Sequence, residues 1–165
     1  MTFRDKICSL NAGAFSNENV SIKPLAEERD LIYACYECRL AKDQEDLVSP
    51  MWFTMGKAYL HPENNYPCII YNEKEERIGF INLCAWVGVD EACTWSCFID
   101  ERHQGKGYGK GVASLAISIL KEAFPNRPIR LSSEQRNARA HHIYSSLGFI
   151  KLDELDGDDF VFEMK

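Results

Sequence analysis

The hydrophobic residues in the first third of the chain predict one strand followed by two helices. The strand is expected over residues 20–25. Apolar side chains in 27–41 recur at i, i+3, i+4 and i+7, the spacing of one helix face. An acidic loop follows over 42–50, and Pro50 suits the first turn of a second helix that extends to about residue 60. The apolar positions of the first helix are Leu31, Ala34, Cys35 and Cys38.

Three apolar segments after residue 65 predict the middle of a β-sheet. Residues 66–71 and 77–87 are separated by a short polar turn and are expected to pair as a hairpin. Residues 92–100 are almost wholly apolar or aromatic. A strand of that composition is buried on both faces, so we expect it in the centre of the sheet.

The next part of the chain predicts a helix, a strand and a second helix. A 3.6-residue apolar period over 109–124 indicates an amphipathic helix, which Pro125 ends. A short strand at 129–133 precedes the second helix. Asn137 is a suitable N-cap for this helix, and Gly148 stands where a C-terminal glycine belongs.

The C-terminal residues complete the predicted fold. Two strands, 149–155 and 160–164, flank an Asp-Gly turn of the kind that forms hairpins. The full order is β-α-α-β-β-β-α-β-α-β-β, which predicts an α/β domain with a mixed sheet and helices covering its faces. A length of 165 residues suits one domain, which we assign to 19–165. Residues 1–18 are an extension of unknown role, either a short amphipathic turn or a segment packed on the main body.

The charge balance narrows the range of partners. The chain has 19 basic and 25 acidic residues, a net charge of −6. Binding a nucleic-acid backbone needs a basic excess, so we expect no nucleic-acid partner. No apolar run approaches the ~20 residues that span a bilayer, so we expect no membrane partner. Seven scattered cysteines and an N-terminus without a signal segment predict a cytoplasmic protein, and the sequence leaves a homodimer open.

A glycine-rich loop over 104–111 follows the apolar strand and opens the next helix. Glycines let the backbone approach a ligand closely. The first N–H groups of a helix have no intrahelical partner and lie at the positive end of the helix dipole. Lys106 and Lys110 add positive charge. The loop therefore predicts a phosphate-containing ligand, and the alternative is a tight turn that binds nothing.

The spacing of the glycines distinguishes among phosphate-binding loops. A Walker loop needs Gly, four residues and then Gly-Lys-Ser/Thr, and no register here satisfies it. The dinucleotide pattern G-x-G-x-x-G also fails, because its sixth position is never glycine in this loop. Both failures disfavour an ATP- or NAD-binding regulatory domain. The spacing present is Gln104-x-x-Gly107-x-Gly109.

This spacing resembles the pyrophosphate loop of the GNAT N-acetyltransferase superfamily. The helix that carries Asn137 and Tyr144 and ends in Gly148-Phe149 resembles the next signature of that family. The order of elements agrees as well, from residue 20 to the C-terminus. The resemblance implies a GNAT-like mixed, mostly antiparallel sheet with a splayed central strand and helices on both faces. It also implies acetyl-CoA as co-substrate and no metal.

The resemblance also implies which residues form the site. Tyr144 would be catalytic, protonating the departing CoA thiolate, although most tyrosines on an apolar helix face are core residues. A backbone N–H near residues 98–99, where a bulge would splay the strand, would stabilise the thioester oxygen. The residues implied to bind the cofactor are Phe98, Ile99, Gln104, Gly105, Lys106, Gly107, Tyr108, Gly109, Lys110, Asn137 and Tyr144.

The acceptor is expected to be a primary amine. Residues 98–107 and 153–157 resemble bacterial diamine and polyamine acetyltransferases of the spermine/spermidine type. The acidic residues of the 43–46 loop would then contact the cationic substrate. The stretch 94–97 lacks the carboxylate that such enzymes often use as base. Either Glu134 or ordered water takes that role, or the acceptor is not a polyamine.

Other functions stay open at this stage. The acceptor could be a peptide N-terminus, an aminoglycoside or an amino acid, and the domain could be a non-catalytic acyl-CoA-binding module. The Cys35-x-x-Cys38 pair could suggest zinc, but no second pair has the required spacing, so we interpret it as packing.

Overall fold

The computed structural model describes residues 1–86 and 91–165. The predicted strand over 77–87 corresponds to β3, and its last expected residue, Val87, lies outside the described residues. The helices are α1 (Phe3–Cys8), α2 (Glu28–Ile32), α3 (Met51–Leu60), α4 (Tyr108–Ala123) and α5 (Ala138–Ser146). The strands are β1 (Val20–Pro24), β2 (Asn65–Asn72), β3 (Arg77–Ala85), β4 (Cys93–Ile99), β5 (Ile129–Ser133), β6 (Ile150–Asp156) and β7 (Asp159–Met164).

The strands form one sheet in the order β1-β2-β3-β4-β5-β7-β6. All neighbouring strands are antiparallel except β4 and β5. The larger core lies between the sheet and α1, α4 and α5, and a smaller core lies under α2 and α3. The predicted α/β fold, with a mixed, mostly antiparallel sheet covered by helices on both faces, is confirmed, and β4 is the fourth of the seven strands.

The one parallel pair determines where the sheet opens. β4 and β5 are in register only at Cys93 and Ile129, and the two strands then diverge. β4 stays paired with β3 along its whole length without a register shift. The splayed central strand is therefore present, but the bulge expected near residues 98–99 is absent from the β3–β4 ladder. The opening arises because β5 leaves β4 after a single pair.

The helix predicted over 27–41 is wrong in its length and in its buried face. Asp30 turns inward, so the neighbouring Leu31 is left exposed. α2 then continues as one π turn and stops. The buried face is therefore formed by Asp30, Tyr33 and Ala34 at i, i+3 and i+4, and Cys35 is exposed.

An ion pair explains the orientation of α2. Arg77 of β3 donates to Asp30 Oδ1 through Nη2 at 3.0 Å and Nε at 3.2 Å, and the Ala26 N–H donates to Oδ2 at 3.1 Å. Burial would raise the pKa of the Asp30 carboxyl, but these hydrogen bonds outweigh burial and lower it. This ion pair attaches α2 to β3 at a position where the sequence predicted a purely apolar helix face.

The N-terminal residues pack on the main body. Phe3 and Ile7 of α1 are buried in the larger core. The Phe3 ring stacks on Phe124, at the end of α4, with ring centroids 4.8 Å apart. Within residues 1–18, the short helix α1 packs on one end of α4, and a separate 3-10 turn follows at Ala12–Phe15.

The ends of α5 follow the sequence closely. The Asn137 side chain accepts a hydrogen bond from the Ala140 N–H at 3.2 Å. Gly148 follows the helix with φ +94°, a left-handed conformation that favours glycine. These two residues determine where α5 begins and ends, and so where Tyr144 lies.

Replacing Asp30 with Asn should destabilise the protein by about 2 kcal/mol at pH 7, because Arg77 loses its buried counter-charge. The carboxyl pKa is lowered in the folded state, so its stabilisation is present above the unfolded pKa and is lost as pH falls through the folded pKa. Urea unfolding at pH 7 and pH 3 measures both effects. The exposed Asp43→Asn is the control, and equal unfolding free energies for the two variants at pH 7 would contradict the prediction.

Candidate active site

The C-terminal half of β4 has one unpaired edge. In an antiparallel ladder, successive residues direct their N–H and C=O groups to opposite sides. The Cys93 N–H donates towards β5, and the Asp100 N–H donates towards β3. By this alternation Trp95, Cys97 and Ile99 direct their backbone groups into the gap that β5 leaves. The gap is thus lined by backbone donors and acceptors.

The two strand residues expected to bind the cofactor contribute in different ways. Phe98 and Ile99 both line the cavity at the gap. By the same alternation the N–H of Ile99 points into the gap, whereas that of Phe98 points towards β3. The Ile99 carbonyl accepts a hydrogen bond from Gln104 Nε2 at 2.8 Å. Phe98 therefore contributes its ring and Ile99 its backbone.

A cavity of about 390 Å³ fills the gap. Its walls are the end of β4, the glycine loop, the first turn of α4, the inner face of α5 and the 40–48 segment. Lys106 is not among the lining residues, and its Nζ lies 3.4 Å from the Arg102 carbonyl. The other residues predicted for the cofactor all line the cavity: Phe98, Ile99, Gln104, Gly105, Gly107, Tyr108, Gly109, Lys110, Asn137 and Tyr144.

The first turn of α4 presents free N–H groups to this cavity. Gly107 is the N-cap with φ +84°, and no side chain caps the helix. Gly105 is also left-handed, with φ +75°. The Gly111 N–H bonds back to the Gly107 carbonyl at 3.3 Å, so the three preceding amides have no intrahelical acceptor. This arrangement suits an anionic group, because the helix dipole adds positive potential there.

Three basic side chains and no carboxylate line the cavity. They are His103, Lys110 and Arg139. The surrounding chain carries a net charge of −6, so the positive lining is a local feature. His103 and Arg139 were missed by sequence reasoning, because His103 lies just before the Gln104-x-x-Gly107-x-Gly109 spacing and Arg139 lies at an unspecified position between Asn137 and Tyr144.

Gln104 connects three walls of the cavity. Its Nε2 donates to the Ile99 carbonyl and to Gln44 Oε1, and its Oε1 accepts from Gln44 Nε2 at 3.0 Å. Arg139 Nη1 donates to the same Oε1 at 3.1 Å. The side chain thus joins β4, α5 and the 40–48 segment. Gln44 was also missed, because its partner is 60 residues away.

A buried carboxylate supports the loop from below. Asp100 is fully buried directly after β4, and it accepts from the Arg102 N–H at 3.0 Å and from Arg102 Nε at 2.8 Å. Arg102 Nη2 also donates to the Glu37 carbonyl at 3.1 Å. Burial would raise the pKa of Asp100, but the hydrogen bonds from Arg102 outweigh it and lower the pKa. The ionised pair therefore fixes the chain where it leaves the strand.

Tyr144 lines the cavity from α5. Its ring packs on Phe149 and Phe162, with centroids 5.8 Å and 5.5 Å away. Burial raises the pKa of the phenol, and the nearby Cys97 adds to this effect. The hydroxyl is therefore protonated at neutral pH, which is the form that a proton donor requires.

Cys97 lines the same cavity from β4. Burial raises the pKa of its thiol to about 12. A thiol of that pKa is almost entirely protonated at neutral pH and is a poor nucleophile. Cys97 therefore does not offer the thiolate that a covalent intermediate would need.

A second cavity of about 430 Å³ lies on the other side of the Phe98 ring. It shares Leu40, Val48 and Phe98 with the first cavity. Glu45 and Glu101 line it. Two basic side chains, Arg39 and Lys42, also line it, so it is mixed in charge where the first cavity is basic.

The acidic residues expected to contact an amine are separated by the fold. Glu45 lines the second cavity, whereas Asp43 and Asp46 line neither. Asp46 faces Arg136 at 3.7 Å instead. Glu134, the candidate base, also lines neither cavity, and its Oε1 accepts from Arg136 Nε at 3.0 Å. Glu101 lines the second cavity, where the sequence analysis did not predict it.

The Cys35 and Cys38 thiols do not belong to a metal centre in the part of the chain that the structure describes. No group of three His, Cys, Asp or Glu side chains converges there in a way that could hold a metal ion. Burial raises the pKa of Cys38 to about 12, which disfavours the thiolate that a metal needs. Within the same described ranges no helix has the length and hydrophobicity needed to cross a bilayer.

The fold is that of a known family of acetyltransferases. Residues 27–149 match the acetyltransferase (GNAT) family, and the chain belongs to that family. Membership of that family supports an acyltransferase enzyme over a non-catalytic binding module.

The names of the relatives mention different acceptor substrates. A spermine/spermidine N(1)-acetyltransferase of Bacillus subtilis is 42% identical over 59 residues, which are 36% of this chain and 39% of that protein. The match thus spans well under half of that relative's length. An acetyltransferase from Agrobacterium tumefaciens has a TM-score of 0.69 at 16% identity, covering 91% of this chain and 92% of that one. An aminoglycoside acetyltransferase in complex with coenzyme A has a TM-score of 0.68 at 18% identity, covering 87% and 92%. At these identities the solved structures show the fold alone.

Proposed function

We propose that this protein transfers the acetyl group of acetyl-CoA to a primary amine, and that the amine is a diamine or polyamine. The observation that carries the first part is the basic cavity in the gap between β4 and β5. Uncapped helix amides, three basic side chains and an unpaired strand edge meet there. The polyamine part is supported by the Bacillus relative and by the carboxylates of the second cavity.

The residues of the first cavity fit the cofactor. The amides that precede Gly111 would bind the pyrophosphate, with Lys110 and Arg139 close enough to add charge. The unpaired backbone edge of β4 would hydrogen-bond the pantetheine amides in the manner of an added strand. Acetyl-CoA supplies a thioester, whose carbonyl carbon is the acetyl donor.

Backbone amides of β4 would stabilise the thioester oxygen. Negative charge develops on that oxygen when the amine attacks, and a fixed N–H in a water-poor cavity stabilises it. Cys97 and Ile99 direct their N–H groups into the gap. The hydrogen bond from Gln104 to the Ile99 carbonyl holds this part of the strand in place.

Tyr144 would donate the proton that the leaving thiolate needs. A thiolate is stable in water because its conjugate acid has a pKa near ~8.5, but a buried thiolate is more basic. The phenol of Tyr144 is held neutral by burial and lies in the same cavity. Burial raises the pKa of both groups, so the weaker acidity of the phenol is offset by the greater basicity of the thiolate.

The acceptor would enter through the second cavity. A primary amine with a pKa near ~10.4 is almost entirely ammonium at neutral pH, and it must lose a proton before it attacks. Glu45 and Glu101 would hold the ammonium groups, and a deprotonated amine would reach the thioester past the Phe98 ring. No carboxylate lines the first cavity, so water in the second cavity would carry the proton to these side chains.

One observation favours a second class of acceptor. Arg39 and Lys42 line the second cavity beside the two carboxylates. An amine that also carries a carboxylate, such as an amino acid, would pair with both signs of charge. A thiol-release assay with acetyl-CoA and a panel of spermidine, diamines, monoamines, amino acids and aminoglycosides distinguishes the candidates. Release with none of these amines would overturn the proposed reaction.

Gly107→Val should weaken acetyl-CoA binding by more than about tenfold. A side chain at φ +84° strains the backbone and disturbs the amides that would hold the pyrophosphate. Gly157→Val is the matched control, because Gly157 is also left-handed, at φ +60°, but lies in the β6–β7 turn. Calorimetric titration measures both. Equal affinities for two folded variants would remove the pyrophosphate assignment.

Tyr144→Phe should lower kcat at least tenfold and leave acetyl-CoA affinity within about twofold, because only the hydroxyl is lost. Steady-state kinetics with the best amine of the panel measures kcat, and calorimetry measures the affinity for acetyl-CoA. Tyr36→Phe, at an exposed tyrosine, serves as the control. A kcat within twofold of the parent, below ~0.5 kcal/mol in barrier, would make Tyr144 a core residue only.

Glu45→Gln combined with Glu101→Gln should raise KM for spermidine about two- to tenfold at low salt. Each exposed ion pair contributes ~0.2–1 kcal/mol and weakens with ionic strength. Asp43→Asn with Asp153→Asn removes the same charge outside both cavities and should leave KM unchanged. An equal rise in KM for both double variants would show only a general charge effect.

A further inference from the structure

Unsatisfied polar atoms gather where α5 meets the end of β5. Among the described residues, Ser133 Oγ, Glu134 Oε2 and His141 Nε2 are buried without a hydrogen-bond partner. Ser133 and Glu134 are consecutive, and the Glu134 backbone also contacts the His141 ring. Buried polar groups without partners are uncommon and costly. This concentration under one helix therefore needs an explanation beyond packing.

His141 packs α5 against the last strand of the sheet. Its ring centroid lies 5.0 Å from that of Phe162 and 5.6 Å from that of Phe160. Tyr144, three residues further along the same helix face, contacts the same Phe162 ring at 5.5 Å. The position of the Tyr144 ring thus depends on the contact that His141 makes one turn earlier.

The surroundings of His141 favour a neutral ring. Burial lowers the pKa of His141, the Glu134 backbone opposes this effect, and Lys151 of β6 adds to it. The Lys151 Nζ lies 3.3 Å from the Phe160 ring centroid, so one aromatic face near the imidazole already holds a cation. His142, the next residue, is exposed.

The carboxylates near this site do not compensate for a charged imidazole. Glu134 Oε1 accepts from Arg136, and Glu134 Oε2 has no partner. Asp159, at the start of β7, is close enough to Glu134 for its pKa to be raised, first by burial and then by Asp156 and Glu134. Neither carboxylate hydrogen-bonds to the ring. A proton on Nε2 would therefore add a buried donor without an acceptor.

We propose that His141 is a positioning residue for Tyr144: its neutral ring holds α5 on β7, and its protonation releases the helix and slows acetyl transfer. The inference rests on the proposed function, because it assigns Tyr144 a role in the reaction. A released α5 would also displace Asn137 and Arg139, which line the cofactor cavity. The helix thereby becomes sensitive to acid through a residue outside the cavity.

The direction of the effect follows from proton linkage. An exposed histidine in the released helix has a pKa near ~6.5, and the docked ring has a lower one. The released state therefore binds more protons as pH falls below ~6.5, and its population rises. The docked state is favoured above that pH, where both forms are neutral.

The test compares His141→Phe with the parent enzyme in kcat between pH 5.5 and 7.5, at a temperature where both are folded. At each pH the acceptor amine is protonated to the same extent in the assays of both proteins. The ratio of their kcat values therefore removes the effect of amine protonation. We expect the ratio of variant to parent to rise about threefold or more on going from pH 7.5 to pH 5.5. His142→Phe is the matched control and should give a constant ratio. His141→Gln, which is also uncharged, replaces the first variant if Phe does not fold.

Hydrogen exchange gives a readout that does not depend on activity. Amides of α5 in the parent should exchange faster at pH 5.5 than at pH 7.5, relative to those of α4 and after correction for intrinsic rates. The acceleration should be absent in the His141 variant. A constant kcat ratio with unaltered α5 exchange would overturn the inference and leave the acetyltransferase proposal intact. Absence of acetyl transfer at every pH would overturn the proposed function, and the exchange data alone would then decide whether His141 holds the helix.

Discussion

The site depends on β4, a central strand whose hydrogen bonds to the sheet are complete along one side only. β4 is paired with β3 along its whole length, but it meets β5 only at Cys93 and Ile129. Beyond that pair, backbone groups of the central strand lack a partner from the sheet. Unpaired backbone groups in the middle of a domain are costly unless something else bonds them. The gap thus creates the cavity and leaves backbone groups of β4 available to a ligand whose polar groups can follow the strand.

The remainder of the site is arranged around this gap by long-range contacts. The ionised Asp100–Arg102 pair fixes the chain as it leaves β4, and Gln104 joins the strand end to Gln44 and Arg139. The glycine loop then directs the first amides of α4 into the cavity. An acidic protein in this way maintains a basic cavity, which suits the polyanionic cofactor of the proposed reaction. Its carboxylates stand on the other side of the Phe98 ring, where a cation would approach.

Desolvation governs the protonation of the buried groups. Burial raises the pKa of Tyr144 and that of Cys97, so a phenol and a thiol face the reaction in neutral form. It has the opposite effect on the pKa of His141, because there the charged form is the protonated one. Desolvation therefore keeps the Tyr144 phenol protonated and favours the neutral form of the His141 ring. α5 holds both residues against the Phe162 ring.

The sequence by itself determined the local features of this protein. The order of elements, the ends of α5 at Asn137 and Gly148, and the left-handed glycines of the loop follow from residue type and spacing, because they depend on neighbours within a few positions. Only the tertiary structure decided which charges meet. It buried Asp30 where an apolar helix face was expected, and it left Asp43 and Asp46 outside the site. It also brought Gln44, Glu101, His103 and Arg139 to the two cavities. Such contacts join residues far apart in the chain, and their stability comes from burial and pairing that no local pattern encodes.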